Sequence, residues 1–216
     1  MMESYVEGST KIKFCGLRTT EDVEYANELR PDYVGFVFAR NSRRMVKERQ
    51  AELLKSALEP GIIKVGVFVR EDPERIANLL HHGTIDYVQL HGGEDSEYIR
   101  RLRELTEHPL IQAFRIDGPE DLKKAETSVA DHILLDSGAG GTGTVFNWEL
   151  LKGFQRPYFL AGGLTPENVE EAIRTLHPFA VDVSSGIETD GRKDPAKMEL
   201  FVRAARRNNV PAGDAE

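Results

Sequence analysis

Tyr158-Phe-Leu-Ala-Gly-Gly-Leu164 and Phe179-Ala-Val-Asp-Val-Ser-Ser-Gly-Ile187 are two short apolar runs, and each breaks into a glycine-bearing turn. The apolar part of each is strand-sized and bounded by turn residues. The first turn leads into Thr165-Pro166-Glu167, where an N-cap side chain precedes a proline at the first helical position, so the stretch reads strand, turn, helix. Backbone N–H groups presented at a glycine turn or helix N-terminus make an anion site. Two such turns on successive βα units would form a cradle, and what the cradle belongs to depends on how many units precede it.

Strand-length runs recur along the whole chain: Lys11–Cys15, Asp32–Phe38, Ile62–Val69, Asp86–Leu90, Leu110–Ile116, Asp131–Asp136, Tyr158–Ala161 and Phe179–Val183. Helical spacing fills the gaps. Val169, Ala172, Ile173 and Leu176 recur at i, i+3, i+4, i+7, as do Met198, Phe201, Val202 and Ala205, and Leu53, Leu54, Ala57 and Leu58 predict another stripe. Asp72-Pro73, Thr165-Pro166 and Asp194-Pro195 predict helix starts. Ile62–Val69 is β-branched and apolar at nearly every position, which suits a parallel strand covered on both faces. Eight units in 216 residues leave each room for a strand, a helix and two short loops. A doubly wound open sheet is compatible with the same alternation, but eight is the number that closes a sheet. The expectation is therefore an α/β fold, a single (β/α)8 TIM-barrel domain over residues 1–216, with 1–10 and 208–216 as frayed termini. The two opening turns then follow strands 7 and 8, where such barrels bind phosphate.

Composition excludes several classes. With 40% hydrophobic and 30% charged residues the chain can build a core and is not intrinsically disordered. No apolar run approaches the roughly 20 residues needed to span a bilayer, and Met1-Met2-Glu3-Ser4 lacks the basic and apolar regions of a signal peptide. A net charge of −8 and the absence of a basic stripe argue against nucleic acid as a partner; Arg40-Asn-Ser-Arg-Arg44 reads as a loop. One cysteine permits no internal disulfide and suits a reducing compartment. The expected setting is cytoplasmic, without a membrane. Monomer and homodimer are both compatible with these helix faces.

Polar residues at the C-terminal ends of barrel strands face the site. Here they are Cys15, Arg44, Gln89, His91, Arg115, Asp136 and Asp182. Cys15 could be a small buried hydrophobe. It nevertheless closes strand 1 before Gly16 and shares a face with Lys13, whose ammonium favours the thiolate, the form that serves as base or nucleophile. Asp136 is a candidate acid, or the cap of its loop. Asp182 lies in an apolar strand, shares a face with Ala180, and needs a wet cavity or a partner. His91 could be a structural hydrogen-bonder. No Cys/His group has metal-ligand spacing.

The loop Ser137-Gly-Ala-Gly-Gly-Thr-Gly-Thr144 reads G-x-G-x-x-G after a strand, with a helix predicted from Asn147. The dinucleotide fingerprint also requires an acidic residue about 20 positions on, where this chain has Ala161-Gly162-Gly163. A lid over substrate suits the segment better.

Taken together these residues resemble the phosphoribosylanthranilate isomerase family of tryptophan biosynthesis. The signatures are Lys13-Phe-Cys-Gly16, Gly35-Phe-Val-Phe38 with Ser42-Arg-Arg44, Val88-Gln-Leu-His-Gly92, Leu134-Leu-Asp136, Gly140-Gly-Thr-Gly143, Phe146-Asn-Trp148, Leu160-Ala-Gly-Gly-Leu164, Asp182-Val-Ser-Ser-Gly-Ile-Glu188 and Gly191-Arg-Lys-Asp194, in family order. Phe14 stands where the family usually has isoleucine, and Asn147 where aspartate is common. The resemblance implies a monofunctional Amadori isomerase of a small phosphosugar, using no metal or organic cofactor. It implies Asp136 as general acid and Cys15 as general base. It also implies phosphate at Gly162, Gly163, Ser185 and Gly186, the anthranilate carboxylate at Arg44, and His91 and Asp182 lining the site. Rival readings are another sugar-phosphate barrel enzyme or a non-catalytic phosphosugar binder. An indoleglycerol phosphate synthase would need a catalytic lysine constellation, and a histidine-pathway isomerase would carry aspartates where this chain has Cys15 and Arg115.

Overall fold

Strand alternation sorts inside from outside in this chain. The computed structural model describes residues 9–136 and 148–207. Eight strands, β1 (Lys11–Cys15), β2 (Tyr33–Val37), β3 (Ile63–Phe68), β4 (Tyr87–Leu90), β5 (Leu110–Arg115), β6 (His132–Asp136), β7 (Tyr158–Ala161) and β8 (Ala180–Val183), run parallel in chain order, and β8 closes back onto β1. Closure excludes the open sheet. Tyr33, Val65, Ile111, Leu134, Phe159 and Ala180 meet in the lumen, while Ile12, Phe14, Val34, Phe36 and Phe68 join the core between sheet and helices. Rings of Tyr33, Tyr87, His132, Phe159 and Phe179 pack against one another toward the N-terminal ends of the strands, with centroids between 5.3 and 6.0 Å apart. This plug leaves the opposite end of the lumen for a cavity.

Aspartates set where paired strands begin. Oδ2 of Asp32, Asp86 and Asp131 accepts from the backbone N–H of Ile12, Lys64 and Leu110, at 2.8, 2.9 and 2.7 Å. Each carboxylate at the entrance of an even-numbered strand thus clamps the odd-numbered strand before it. For that reason β2, β4 and β6 start one residue after the aspartate that sequence alone counts as strand.

The helices are α1 (Thr20–Leu29), α2 (Glu48–Ala57), α3 (Pro73–His81), α4 (Ser96–Arg103), α5 (Pro119–Glu126), α6 (Val169–Leu176) and α7 (Pro195–Arg206). Asp72 and Asp194 cap α3 and α7 as expected, accepting from Glu74 N–H and from Ala196 and Lys197 N–H. Thr165-Pro166 does not open a helix. The Asn168 side chain accepts from Thr165 N–H at 2.8 Å and donates to the Gly163 carbonyl at 2.9 Å, holding a turn, and α6 starts at Val169. Within α2 the buried residues are Ala51 and Leu54, whereas Leu53 points outward at 63% exposure. Where a helix is predicted from Asn147, the described residues hold only a 3-10 turn at Trp148–Leu151, stopped before Gly153, whose φ is +86°. The segment 137–147, with its lid reading, lies outside the described residues, as do 1–8 and 208–216. Thr10, placed with the frayed N-terminus, donates to the Pro178 carbonyl at 3.1 Å.

Past β8 the chain forms an antiparallel ribbon, β9 (Glu188–Thr189) with β10 (Arg192–Lys193). Asp190 and Gly191 turn it, with φ of +52° and +74°, as a two-residue hairpin with both central φ positive requires. The ribbon leans over the end of the barrel where β1 and β8 finish.

Candidate active site

Inward-facing Lys13 sits one register step below Cys15 on β1, directly across from Asp182 on β8. Its ammonium is fully buried and donates to Asp182 Oδ1 at 2.8 Å. Gly35 on β2 leaves the space: a Cβ there would lie 3.2 Å from Lys13 Nζ and 2.9 Å from Cys15 Sγ. Burial disfavours the lysine's charge, but the Asp182 carboxylate and the neighbouring thiol outweigh it and hold the ammonium above its ordinary range. For Cys15, itself 8% exposed, burial dominates and pushes the thiol up; Lys13 pulls it back and Asp182 adds to the rise. Lys13 is thus the group that offsets part of the rise burial imposes on the thiol.

Above this pair opens a cavity of about 600 Å³. All seven polar residues singled out from the sequence line it: Cys15, Arg44, Gln89, His91, Arg115, Asp136 and Asp182. Asp136 ends β6, and its Oδ2 lies 3.6 Å from His91 Nε2. The Gln89 side-chain amide sits 3.0 Å from His91 Nδ1, and as donor there it leaves the imidazole proton on Nε2, facing Asp136.

Gly162, Gly163, Ser184, Ser185 and Gly186 form another wall of the cavity. Gly162 and Gly163 adopt φ of +89° and +67°, the left-handed region that glycine tolerates. Gly186 is required for a different reason. A Cβ on it would sit 1.8 Å from the Leu164 carbonyl oxygen, so the turns after β7 and β8 touch backbone to backbone. Both turns of the expected phosphate cradle thus meet at one place on the cavity.

Arg44 reaches the cavity from the segment after β2, its stem passing so near Gly16 that a Cβ there would lie 2.5 Å from Arg44 Cδ. Its guanidinium is gripped by Glu188: Nε donates to Oε1 at 2.6 Å and Nη2 to Oε2 at 2.7 Å. Lys193 Nζ donates to the same Oε1 at 3.0 Å and to the Ser184 carbonyl at 2.9 Å. Burial opposes the Glu188 charge, but Arg44 and Lys193 bring its carboxyl down to about 2.

The N-(5'-phosphoribosyl)anthranilate isomerase family model matches residues 12–204. The chain belongs to this family. It is 46% identical over 202 residues to the N-(5'-phosphoribosyl)anthranilate isomerase of Thermoanaerobacter sp. (strain X514), covering 91% of this chain and 98% of that one. Among solved structures it is similar to the phosphoribosylanthranilate isomerase of Thermotoga maritima, with a TM-score of 0.83 and 37% identity over 91% of this chain and 98% of that chain. It is also similar, at TM-score 0.81 and 36% identity over the same shares, to a phosphoribosylanthranilate isomerase in complex with reduced 1-(o-carboxyphenylamino)-1-deoxyribulose 5-phosphate.

Among the described residues no group of three or more His, Cys, Asp or Glu is placed to hold a metal ion, and no helix is long and apolar enough to cross a membrane. Sequence reading assigns no role to Glu188 or Lys193. A signal was present, because Asp190-Gly191 is a hairpin dipeptide whose flanking residues must pair.

Proposed function

We propose that this chain converts N-(5'-phosphoribosyl)anthranilate to 1-(2-carboxyphenylamino)-1-deoxyribulose 5-phosphate, an Amadori rearrangement in tryptophan biosynthesis. The observation that carries the reading is one cavity that joins an acid on β6, a thiol on β1 and two glycine turns after β7 and β8. The phosphate rests on the turns at Gly162, Gly163, Ser185 and Gly186, and the anthranilate carboxylate meets Arg44. Asp136, arriving protonated, gives its proton to the ring oxygen; the C1–O bond breaks as the amine lone pair forms the C=N bond of an iminium. Cys15, as thiolate beside Lys13, then takes the C2 proton, and those electrons neutralise the nitrogen to leave an enolamine. Loss of the O2 proton and protonation at C1 give the ketone. His91 borders Asp136 and Asp182 holds Lys13, so both act on the two working groups. No metal or organic cofactor enters any step. The ligand is a small phosphosugar, neither nucleic acid nor membrane is a partner, and the working form is a cytoplasmic monomer or homodimer.

The test is turnover by the purified protein, followed as loss of phosphoribosylanthranilate fluorescence. Cys15→Ala and Asp136→Ala each lower kcat by more than about a hundredfold with the circular dichroism spectrum unchanged. Near-normal turnover by either variant removes that residue from the mechanism, and an inert wild type rejects the activity.

A further inference from the structure

Glu188 makes no use of its carboxylate in the chemistry above, yet it is 9% exposed and surrounded by cations. Arg44 and Lys193 hold it directly, and Arg43 Nη2 stands 3.3 Å from Oε2. Lys13 and Asp182 cancel one another nearby. One carboxylate shared between Arg44 and Lys193 leaves this part of the cavity wall with more cationic than anionic groups, which suits an anionic ligand.

The hydrogen bonds decide which edge of Arg44 that anion meets. A guanidinium carries five N–H donors in a planar fork. Glu188 occupies Nε–H and one N–H of Nη2. Among the described residues no bond is made by Nη1, so its two donors and the outer N–H of Nη2 remain. One N–H of Nη1 and the outer N–H of Nη2 lie along the second edge, which is a bidentate carboxylate receptor like the first. Rotation of the guanidinium about its long side chain would blur that receptor, and Glu188 prevents it. Lys193, whose side chain is 2% exposed, fixes Glu188 in turn by tying it to the Ser184 carbonyl.

We infer that Glu188 is a positioning residue for substrate selection: it locks Arg44 so that its Nη1/Nη2 edge receives an aromatic carboxylate ortho to the amine. The inference rests on the ligand reading of Arg44 given above. A purely structural role, closing the β9–β10 ribbon through the Glu188–Lys193 pair, would affect every ligand alike. Positioning affects only ligands that carry the carboxylate.

The experiment measures binding of two compounds by titration calorimetry: reduced 1-(o-carboxyphenylamino)-1-deoxyribulose 5-phosphate and its phenylamino counterpart without the ring carboxyl. The proteins are wild type, Arg44→Gln, Glu188→Gln and the double variant Glu188→Gln/Lys193→Met. The double variant removes the buried cation that Glu188→Gln would strand, so it keeps the test alive where the single variant folds poorly. In both Glu188 variants the preference for the carboxylated compound falls roughly ten- to a hundredfold, the range of a charge-assisted pair, while affinity for the carboxyl-free compound stays within about twofold. Arg44→Gln abolishes the preference. An unchanged preference, or equal loss for both compounds, overturns the inference, as does a wild type without any preference. If the preference behaves as expected while the wild type fails to turn over phosphoribosylanthranilate, the isomerase reading fails and the role of Glu188 stands.

Discussion

Acid should release the Glu188 cluster from the fold, and the size of the effect follows from the structure. The Glu188 side chain is 5% exposed, and Arg44 and Lys193 bring its carboxyl to about 2 from an ordinary 4.5. A gap of about 2.5 units, at 1.36 kcal/mol each, is roughly 3 kcal/mol of folding free energy. The sign is fixed by the direction. A carboxyl depressed in the folded state contributes fully above its unfolded value near 4.5, and the contribution disappears as pH falls toward 2. Glu188→Gln should therefore lose roughly 3 kcal/mol at neutral pH, where it leaves Lys193 buried without its counter-charge; breaking buried pairs costs about 3–5 kcal/mol elsewhere. The same substitution should lose progressively less below about pH 4.5, because the wild type then carries a protonated, neutral side chain at the same place. Urea unfolding of both proteins at a series of pH values measures the difference, with equal m-values required for a two-state comparison. Other carboxyls protonate in both proteins and cancel. A difference that stays constant from neutral to strongly acidic pH refutes the electrostatic account and makes Glu188 a packing residue.

Lys13→Met removes the cation that favours the Cys15 thiolate and leaves Asp182 uncompensated, so the thiol should move further up. Iodoacetamide alkylation of the folded protein then slows by roughly tenfold at pH 8, and an unmoved alkylation midpoint rejects the coupling. Gly186→Ala drives a methyl group into the Leu164 carbonyl and should separate the two cradle turns. It is expected to cost about 1–3 kcal/mol of stability and to raise KM for the phosphosugar far more than it lowers kcat, whereas a falling kcat at constant KM would place Gly186 outside the phosphate site.

The barrel was legible because its information is periodic. Alternation alone puts Lys13 and Cys15 on one face of β1 and Asp182 with Ala180 on one face of β8, and in the structure Lys13 and Asp182 meet at 2.8 Å. Strand boundaries were less legible. The aspartates that clamp Ile12, Lys64 and Leu110 look like strand residues until their partners, about 20 positions away, are known. Leu53 is apolar and correctly spaced in a helix but faces outward, because α2 lays Ala51 and Leu54 on the barrel and, among the described residues, no second element covers Leu53. Thr165-Pro166 carries every mark of a helix start, yet Asn168 competes for the same backbone groups and wins three residues later.

The candidate site divides along the same line. Residues at strand ends were found because the fold dictates where strand ends point, and the cavity collects all of them. What no period encodes is a contact between loops. Arg44 and Glu188 are 144 positions apart, on a segment after β2 and a ribbon after β8, and only barrel closure brings those elements together. The family resemblance assigns Arg44 to a ligand carboxylate, and the structure gives two of its five donors to Glu188. This changes what Arg44 can do. A free guanidinium attracts any anion from any direction, whereas one pinned along its Nε/Nη2 edge presents a single fork at a fixed angle, beside the thiol whose neighbour Gly16 its stem crosses. Attraction by charge alone would raise affinity for every phosphosugar that enters. A fixed fork favours a carboxylate at one distance from the reacting carbon, which is the discrimination an isomerase of arylaminosugars needs.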